Sequence, residues 1–180
     1  MAENQKQQNN KYKSCAFTGP RPGFFSFGYD EEHPDCQIIK KGLAEEINRL
    51  YLEGSRIFYC GGAMGVDMWC GEIVLHLKEI YKDLKLIIVV PFQGQADKWP
   101  ATYRKRYENL LKNSDEVIIL HNDFAKNYYL ERNRYMVDNC DLLVAICNKD
   151  LIDSYSGSGT YYTIKYAYKT NKKILILNLD

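Results

Sequence analysis

The chain has no run of about eighteen or more apolar residues, the length a membrane-spanning helix needs. That excludes a transmembrane helix. It also lacks a charge of one sign: 24 Lys and Arg stand against 23 Asp and Glu, a formal net charge of +1. No broad field draws it to nucleic acid or to a membrane surface. Histidine is scarce, at three residues. His33 lies in a loop, His76 in a helical stretch and His121 at a strand end, so no catalytic triad or metal site is expected. Only His121 is placed for chemistry, and an ordinary loop histidine is the favoured reading of it. The six cysteines form no CxxC pair and have no zinc-finger spacing with histidine. Cys15, Cys60 and Cys147 sit in or beside apolar runs and read as buried small residues of a reduced cytoplasm. Residues 1–13 are polar, without the apolar centre of a signal peptide, and are expected to form a disordered tail.

What is present is a core. With 180 residues and 46% apolar content, the chain suits one domain, over 14–180. Apolar runs alternate with amphipathic stretches. Strands are expected near 14–18, 56–60, 86–90, 117–120, 142–146 and 174–177. Helices are expected near 36–53, 66–81, 100–113, 124–139 and 159–170. Val66, Trp69, Cys70, Ile73, Val74, Leu77 and Ile80 share one face of the second helix. Most strands are continuous apolar runs, as in a parallel sheet buried on both faces. The expected fold is therefore α/β: Rossmann-like, doubly wound and mainly parallel, with helices on both faces. Ligands of such sheets bind beyond the carboxyl ends of the strands, where strand order reverses.

The loops at those ends hold the candidate site. Gly61-Gly62-Ala63-Met64-Gly65-Val66-Asp67 follows an apolar run and opens a helix. Ser156-Gly157-Ser158-Gly159-Thr160 precedes another. Glycine accepts positive φ and lets a ligand approach the backbone, and a helix start favours an anion. Each loop alone is also explained as a tight turn; the pair points to a phosphate-containing ligand. Thr18-Gly19-Pro20-Arg21-Pro22 ends the first strand. Arg21 could bind phosphate through two hydrogen bonds or be a solvated surface residue. Asp67 could cap its helix or accept bonds from ribose hydroxyls. Thr160, with Ser158, could donate to phosphate or cap a helix. Arg132 and Arg134 lie about 200° apart around one helix, so one faces the ligand edge and the other solvent. Arg104, Lys105 and Arg106 form a local basic patch. Tyr128, Tyr129, Tyr135, Tyr161 and Tyr162 gather around these loops, either to stack on a base or to pack the rim.

Taken together, Thr18-Gly19-x-Arg21-Pro22, Gly61-Gly62-Ala63-x-Gly65-Val66-Asp67, Arg132-Asn133-x-x-Met136-Val137-Asp138 and Gly157-x-Gly159-Thr160 with Tyr166-Ala167 resemble the SLOG superfamily. That superfamily joins the DNA-processing DprA/Smf proteins to the LOG "lysine decarboxylase-like" proteins. The YpsA-like family of unknown function is the nearer match. The resemblance implies a Rossmann-like SLOG domain that binds a nucleotide such as NAD, ADP-ribose or a relative, in a sensing or regulatory role and without a required cofactor. The candidate ligand contacts are Thr18, Gly19, Arg21, Gly61, Gly62, Gly65, Asp67, Arg132, Gly157, Gly159 and Thr160; of these, Gly65 and Asp67 match the contacts suspected in the family. LOG proteins cleave the base–ribose linkage of nucleoside monophosphates. Arg132 and Asp141 keep part of that motif, but Thr163 stands where its catalytic Glu belongs. Threonine cannot stabilise a cationic ribose or activate water as a carboxylate does, so an N-glycosidase needs Asp67 or Glu131 instead. DprA-like binding of single-stranded DNA is the weakest alternative. A homo-oligomer is allowed, and the resemblance names no pathway.

Overall fold

A computed structural model of the protein describes residues 12–148 and 156–178. Six strands form one parallel sheet: β1 (Ser14–Thr18), β2 (Ile57–Cys60), β3 (Lys85–Val90), β4 (Glu116–Ile119), β5 (Leu142–Ile146) and β6 (Lys173–Leu177). Their order is β4-β3-β2-β1-β5-β6. The helices between them are α1 (Pro34–Leu52), α2 (Val66–Lys78), α3 (Ala101–Asn113), α4 (Tyr128–Asn139) and α5 (Gly159–Lys169). This is a Rossmann-like α/β fold.

The order explains where the site lies. From β1 to β4 each strand is added on one side, so right-handed crossovers put α1, α2 and α3 on one face. The chain then returns past β1 to build β5 and β6 on the other side. The same handedness puts α4 and α5 on the opposite face. The reversal falls between β1 and β5, which pair with Cys15 opposite Leu142 and Thr18 opposite Ala145. A crevice opens at the carboxyl ends of those two strands.

Both faces of the central strands are covered. Phe17, Phe58 and Ile88 pack with Ile47, Leu50, Trp69 and Leu110 from α1, α2 and α3. Ala16, Val89 and Leu143 pack with Met136, Val137 and Ala167 from α4 and α5. This double covering is why β1, β3 and β5 read as uninterrupted apolar runs. The edge strand β4 differs: Val117 and Ile119 are exposed.

Two helix limits depart from the expected ones. Helix α2 ends at Lys78 rather than near 81, and Ile80, placed on its buried face by periodicity, is 67% exposed. Helix α4 begins at Tyr128 rather than near 124, and Phe124 is likewise exposed. The loop after β1 holds a 3₁₀ turn at Pro22–Phe24 that periodicity does not reveal. The loop's far end is tied down by charge. Arg106 of α3 donates to both Glu31 and Glu72, and Lys40 of α1 donates to Glu31 at 2.6 Å. Arg106 is thus committed to the fold and withdrawn from the basic patch read with Arg104 and Lys105.

The expected tail over residues 1–13 falls largely outside the described residues. Within them, the Lys13 N–H donates to Asp141 at 2.8 Å and Ser55 donates to the Tyr12 carbonyl. Among the described residues no helix is long and apolar enough to cross a membrane. All six cysteines are free and buried, and burial pushes the Cys15 thiol up to about 11 and that of Cys140 to about 12.

Candidate functional site

A cleft of about 850 Å³ occupies the crevice over β1 and β5. That is within the usual size of small-molecule sites. Thr18, Gly19 and Arg21 line it from the first loop, Asp67 from α2, Arg132 and Asn133 from α4, and Gly157, Gly159 and Thr160 from the second glycine loop. Segments separated by more than a hundred residues in the chain therefore meet there.

Gly61, Gly62 and Gly65 do not line the cleft: Gly61 packs behind Arg132 and Asp67, Gly65 behind Pro20 and Arg21, and Gly62 against Tyr107 and Ile88. Gly65 has φ +92° and Gly62 φ +63°, conformations that favour glycine. A Cβ on Gly65 would lie 2.7 Å from the Pro20 carbonyl, and one on Gly19 would lie 2.6 Å from the Val66 side chain. The two loops thus pack backbone to backbone, and the Val66 N–H donates to the Pro20 carbonyl. The amide of Gln95 holds the Gly61 carbonyl from below at 3.2 Å.

Asp67 and Arg132 form the buried centre of the site, at 8% and 4% exposure. The Arg132 Nη1 lies 3.7 Å from Asp67 Oδ2, close enough for attraction and too far for a hydrogen bond. That Nη1 is buried without a hydrogen-bond partner. The Arg132 Nε donates to Asn133 Oδ1 at 2.8 Å, and the Asn133 amide reaches the Gly159 carbonyl at 3.5 Å. Arg132 is thereby linked to the second glycine loop. Burial raises the Asp67 carboxyl above its ordinary value, while Arg132, Arg21 and the Ala63 backbone pull it down without offsetting the burial. Arg134, two residues on, faces outward and stacks on Tyr162 and Tyr166.

The two helix starts at the cleft differ in charge. Helix α2 carries Asp67 in its first turn, so its own carboxylate meets the positive end of its dipole. Helix α5 has no acidic residue in its first turn, and Ser158 caps it by accepting the Tyr161 N–H at 3.1 Å. The rim adds Arg21 and Lys126 as cations, with the Arg21 guanidinium 5.7 Å from the Tyr129 ring centroid. Phe24, half exposed, completes an apolar edge. Periodicity gave no signal for Phe24, Lys126 or Asn127, which lie in loops or at a helix start. Asn133 was legible only as the neighbour of Arg132.

Other candidate groups lie elsewhere. His121 pairs with Glu131 at 2.7 Å and stacks on Tyr128, and neither His121 nor Glu131 lines the cleft. Asp141 sits at the amino end of β5, where it accepts from the Lys13 and Ser14 backbone. It is at the opposite edge of the sheet from the cleft. Thr163 is buried, and its hydroxyl donates to the Gly159 carbonyl at 2.6 Å. Among the described residues no group of three or more His, Cys, Asp or Glu could hold a metal ion.

A doubly wound parallel sheet with glycine loops over its switch point defines a Rossmann-like protein with a carboxyl-edge cleft. A model of the YspA SLOG family matches residues 15–180, so the chain belongs to that family. It is similar to a UPF0398 protein of Bacillus pumilus, 27% identical over 171 residues that cover 93% of this chain and 89% of the relative. It is also similar to a UPF0398 protein of Staphylococcus epidermidis, 26% identical over 84% of this chain and 81% of that one. A third relative, from Bacillus thuringiensis, is 28% identical over 77% of this chain and 76% of its own length.

Proposed function

We propose that the cleft binds a nucleotide or an NAD- or ADP-ribose-derived ligand, in a sensing or regulatory role. The carrying observation is the buried Arg132, whose Nη1 has no hydrogen-bond partner and stands beside Asp67 in the cleft wall. A buried donor without a partner is costly, and a turn of the guanidinium towards an acceptor in the cleft would relieve that cost. The charges agree with an anion: among the described residues, Arg21, Lys126 and Arg132 line the cleft against one carboxylate, Asp67. The start of α5, with no acidic residue of its own, suits phosphate; Asp67 suits ribose hydroxyls.

Turnover by a LOG-like N-glycosidase is the second reading, and Asp67 favours it as a buried carboxyl with raised proton affinity. It has less support. Thr163 is bonded to the backbone where the catalytic carboxylate belongs, Glu131 is engaged by His121, and Asp141 is at the other edge of the sheet.

A thermal-shift measurement with AMP, NAD, ADP-ribose and cyclic ADP-ribose tests the proposal. At a hundredfold excess over Kd, binding stabilises the fold by about 2.7 kcal/mol, which is about 5–10 °C for a domain of this size. The exposed rim variant Arg21→Ala should keep the unliganded Tm and lose part of the shift. No shift with any of the four ligands rejects the proposal. Base release from a nucleotide that binds would favour the second reading.

A further inference from the structure

The cleft continues past the second glycine loop. A smaller pocket of about 230 Å³ lies against the far side of Gly157, Ser158 and Gly159, where Tyr161, Tyr162 and Lys165 also line it. Leu130 and those three loop residues belong to both pockets. The ridge between them is low because two of its residues have no side chain. A Cβ on Gly157 would meet nothing within 4 Å, and one on Gly159 would meet only the Asn133 amide nitrogen at 3.5 Å. Among the described residues, none packs more closely than this on either glycine of the ridge.

Helix geometry divides the chemistry between the two sides. Successive residues turn by about 100°. Thr160 is buried and lines the main cleft, whereas Tyr161 is half-buried and lines the small pocket. Lys165, one turn on, holds its Nζ 4.8 Å from the Tyr161 ring centroid. The small pocket thus brings a tyrosine ring and a cation together beside the start of α5, the ammonium lying over the ring.

We propose that Gly157–Gly159 forms a saddle for the phosphates of a two-unit, pyrophosphate-linked ligand. Its first nucleoside lies beside Asp67 and Arg132, and its second packs on Tyr161 next to Lys165. The inference rests on the nucleotide reading of the main cleft and adds a subsite to it. Among the described residues, Arg21, Lys126 and Arg132 line the main cleft against Asp67, a surplus that a doubly negative pyrophosphate complements. Tyrosine can stack on any base, so the second subsite would tolerate different bases.

Calorimetric titration of the full chain with AMP and with diadenosine diphosphate tests this. Diadenosine diphosphate should bind on the order of tenfold more tightly than AMP, as one added stacking contact implies. Tyr161→Ala should remove that preference and leave AMP affinity unchanged, and Tyr161→Phe should retain it. Tyr161 also packs against Ala145, Cys147 and Ile164. If Tyr161→Ala fails to fold, Lys165→Ala serves in its place and should reduce the preference. Equal affinity for the two ligands in the unsubstituted protein, or equal weakening of both in the variant, overturns the subsite alone. Failure of both ligands to bind overturns the subsite together with the nucleotide reading.

Discussion

The Arg132 guanidinium occupies the space that a side chain at residue 61 would need. A Cβ built on Gly61 would stand 1.7 Å from Arg132 Nη1 and 2.6 Å from Asp67 Oδ2. The glycine at this position therefore admits the buried pair rather than relieving backbone strain. Gly61→Ala should destabilise the fold by about 1–3 kcal/mol, the usual range for forcing a group into a packed site. It should also weaken ligand binding by displacing Arg132. Urea denaturation and titration with AMP check both. An unchanged stability would show that the guanidinium moves aside freely.

The Asp67–Arg132 pair itself should be strongly coupled. Removing one partner of a buried ion pair leaves an uncompensated charge and typically costs about 3–5 kcal/mol, whereas replacing both by apolar residues costs far less. Asp67→Ala should therefore destabilise severely, and Asp67→Val combined with Arg132→Met should restore much of the loss. A double-mutant cycle by chemical denaturation measures the coupling. Additive single costs would contradict a buried pair.

Much of this architecture was legible in the sequence, for a physical reason. The central strands are covered on both faces, so runs such as Leu86–Val90 show as unbroken apolar segments, and helix periodicity marks what lies between them. The errors fall where an apolar residue is not covered. Ile80 and Phe124 extend the periodic pattern on paper, yet both are exposed, so α2 and α4 are shorter than the pattern implies. Of the residues that line the cleft, Arg21 and the second glycine loop could be read because their chemistry is local, whereas Gly61, Gly62 and Gly65 stand outside its lining. The meeting of Asp67 with Arg132, 65 positions later, could not be read, because it depends on α4 crossing to the opposite face of the sheet. The same holds for the contacts of Arg106 with Glu31 and Glu72, which turn an apparent basic patch into a clasp on a loop.

That clasp should set part of the response to acid. Burial alone would raise the Glu31 carboxyl, but hydrogen bonds from Arg106 and Lys40 outweigh it and hold the group down at about 2, against an ordinary value of 4.5. Its contribution to stability is therefore fully present above about 4.5 and is lost as pH falls towards 2. Asp67 acts in the opposite sense: its raised carboxyl takes up a proton more readily in the folded state, so its contribution declines as pH rises above 3.8. Glu31→Gln should lower stability at neutral pH and flatten the loss between pH 4.5 and 2. Denaturation midpoints across that range measure it. An unaltered acid slope would place the titrating group elsewhere.

Gly159→Ala separates the needs of the fold from those of a ligand. The added methyl would have one neighbour within 4 Å, the Asn133 amide nitrogen at 3.5 Å, which is ordinary contact. Residue 159 is the first of α5 and does not have a positive φ. Alanine also loses less backbone freedom on folding than glycine. Stability should therefore be unchanged or higher by up to about 1 kcal/mol. The methyl would nevertheless stand on the ridge between the two pockets, where the proposed ligand would bring a phosphate close to the backbone. Binding of AMP should weaken by on the order of tenfold or more, the equivalent of about 1.4 kcal/mol. A variant as stable as the unsubstituted protein that binds AMP with undiminished affinity would remove the second glycine loop from the site and leave the Asp67–Arg132 wall to hold the ligand without it.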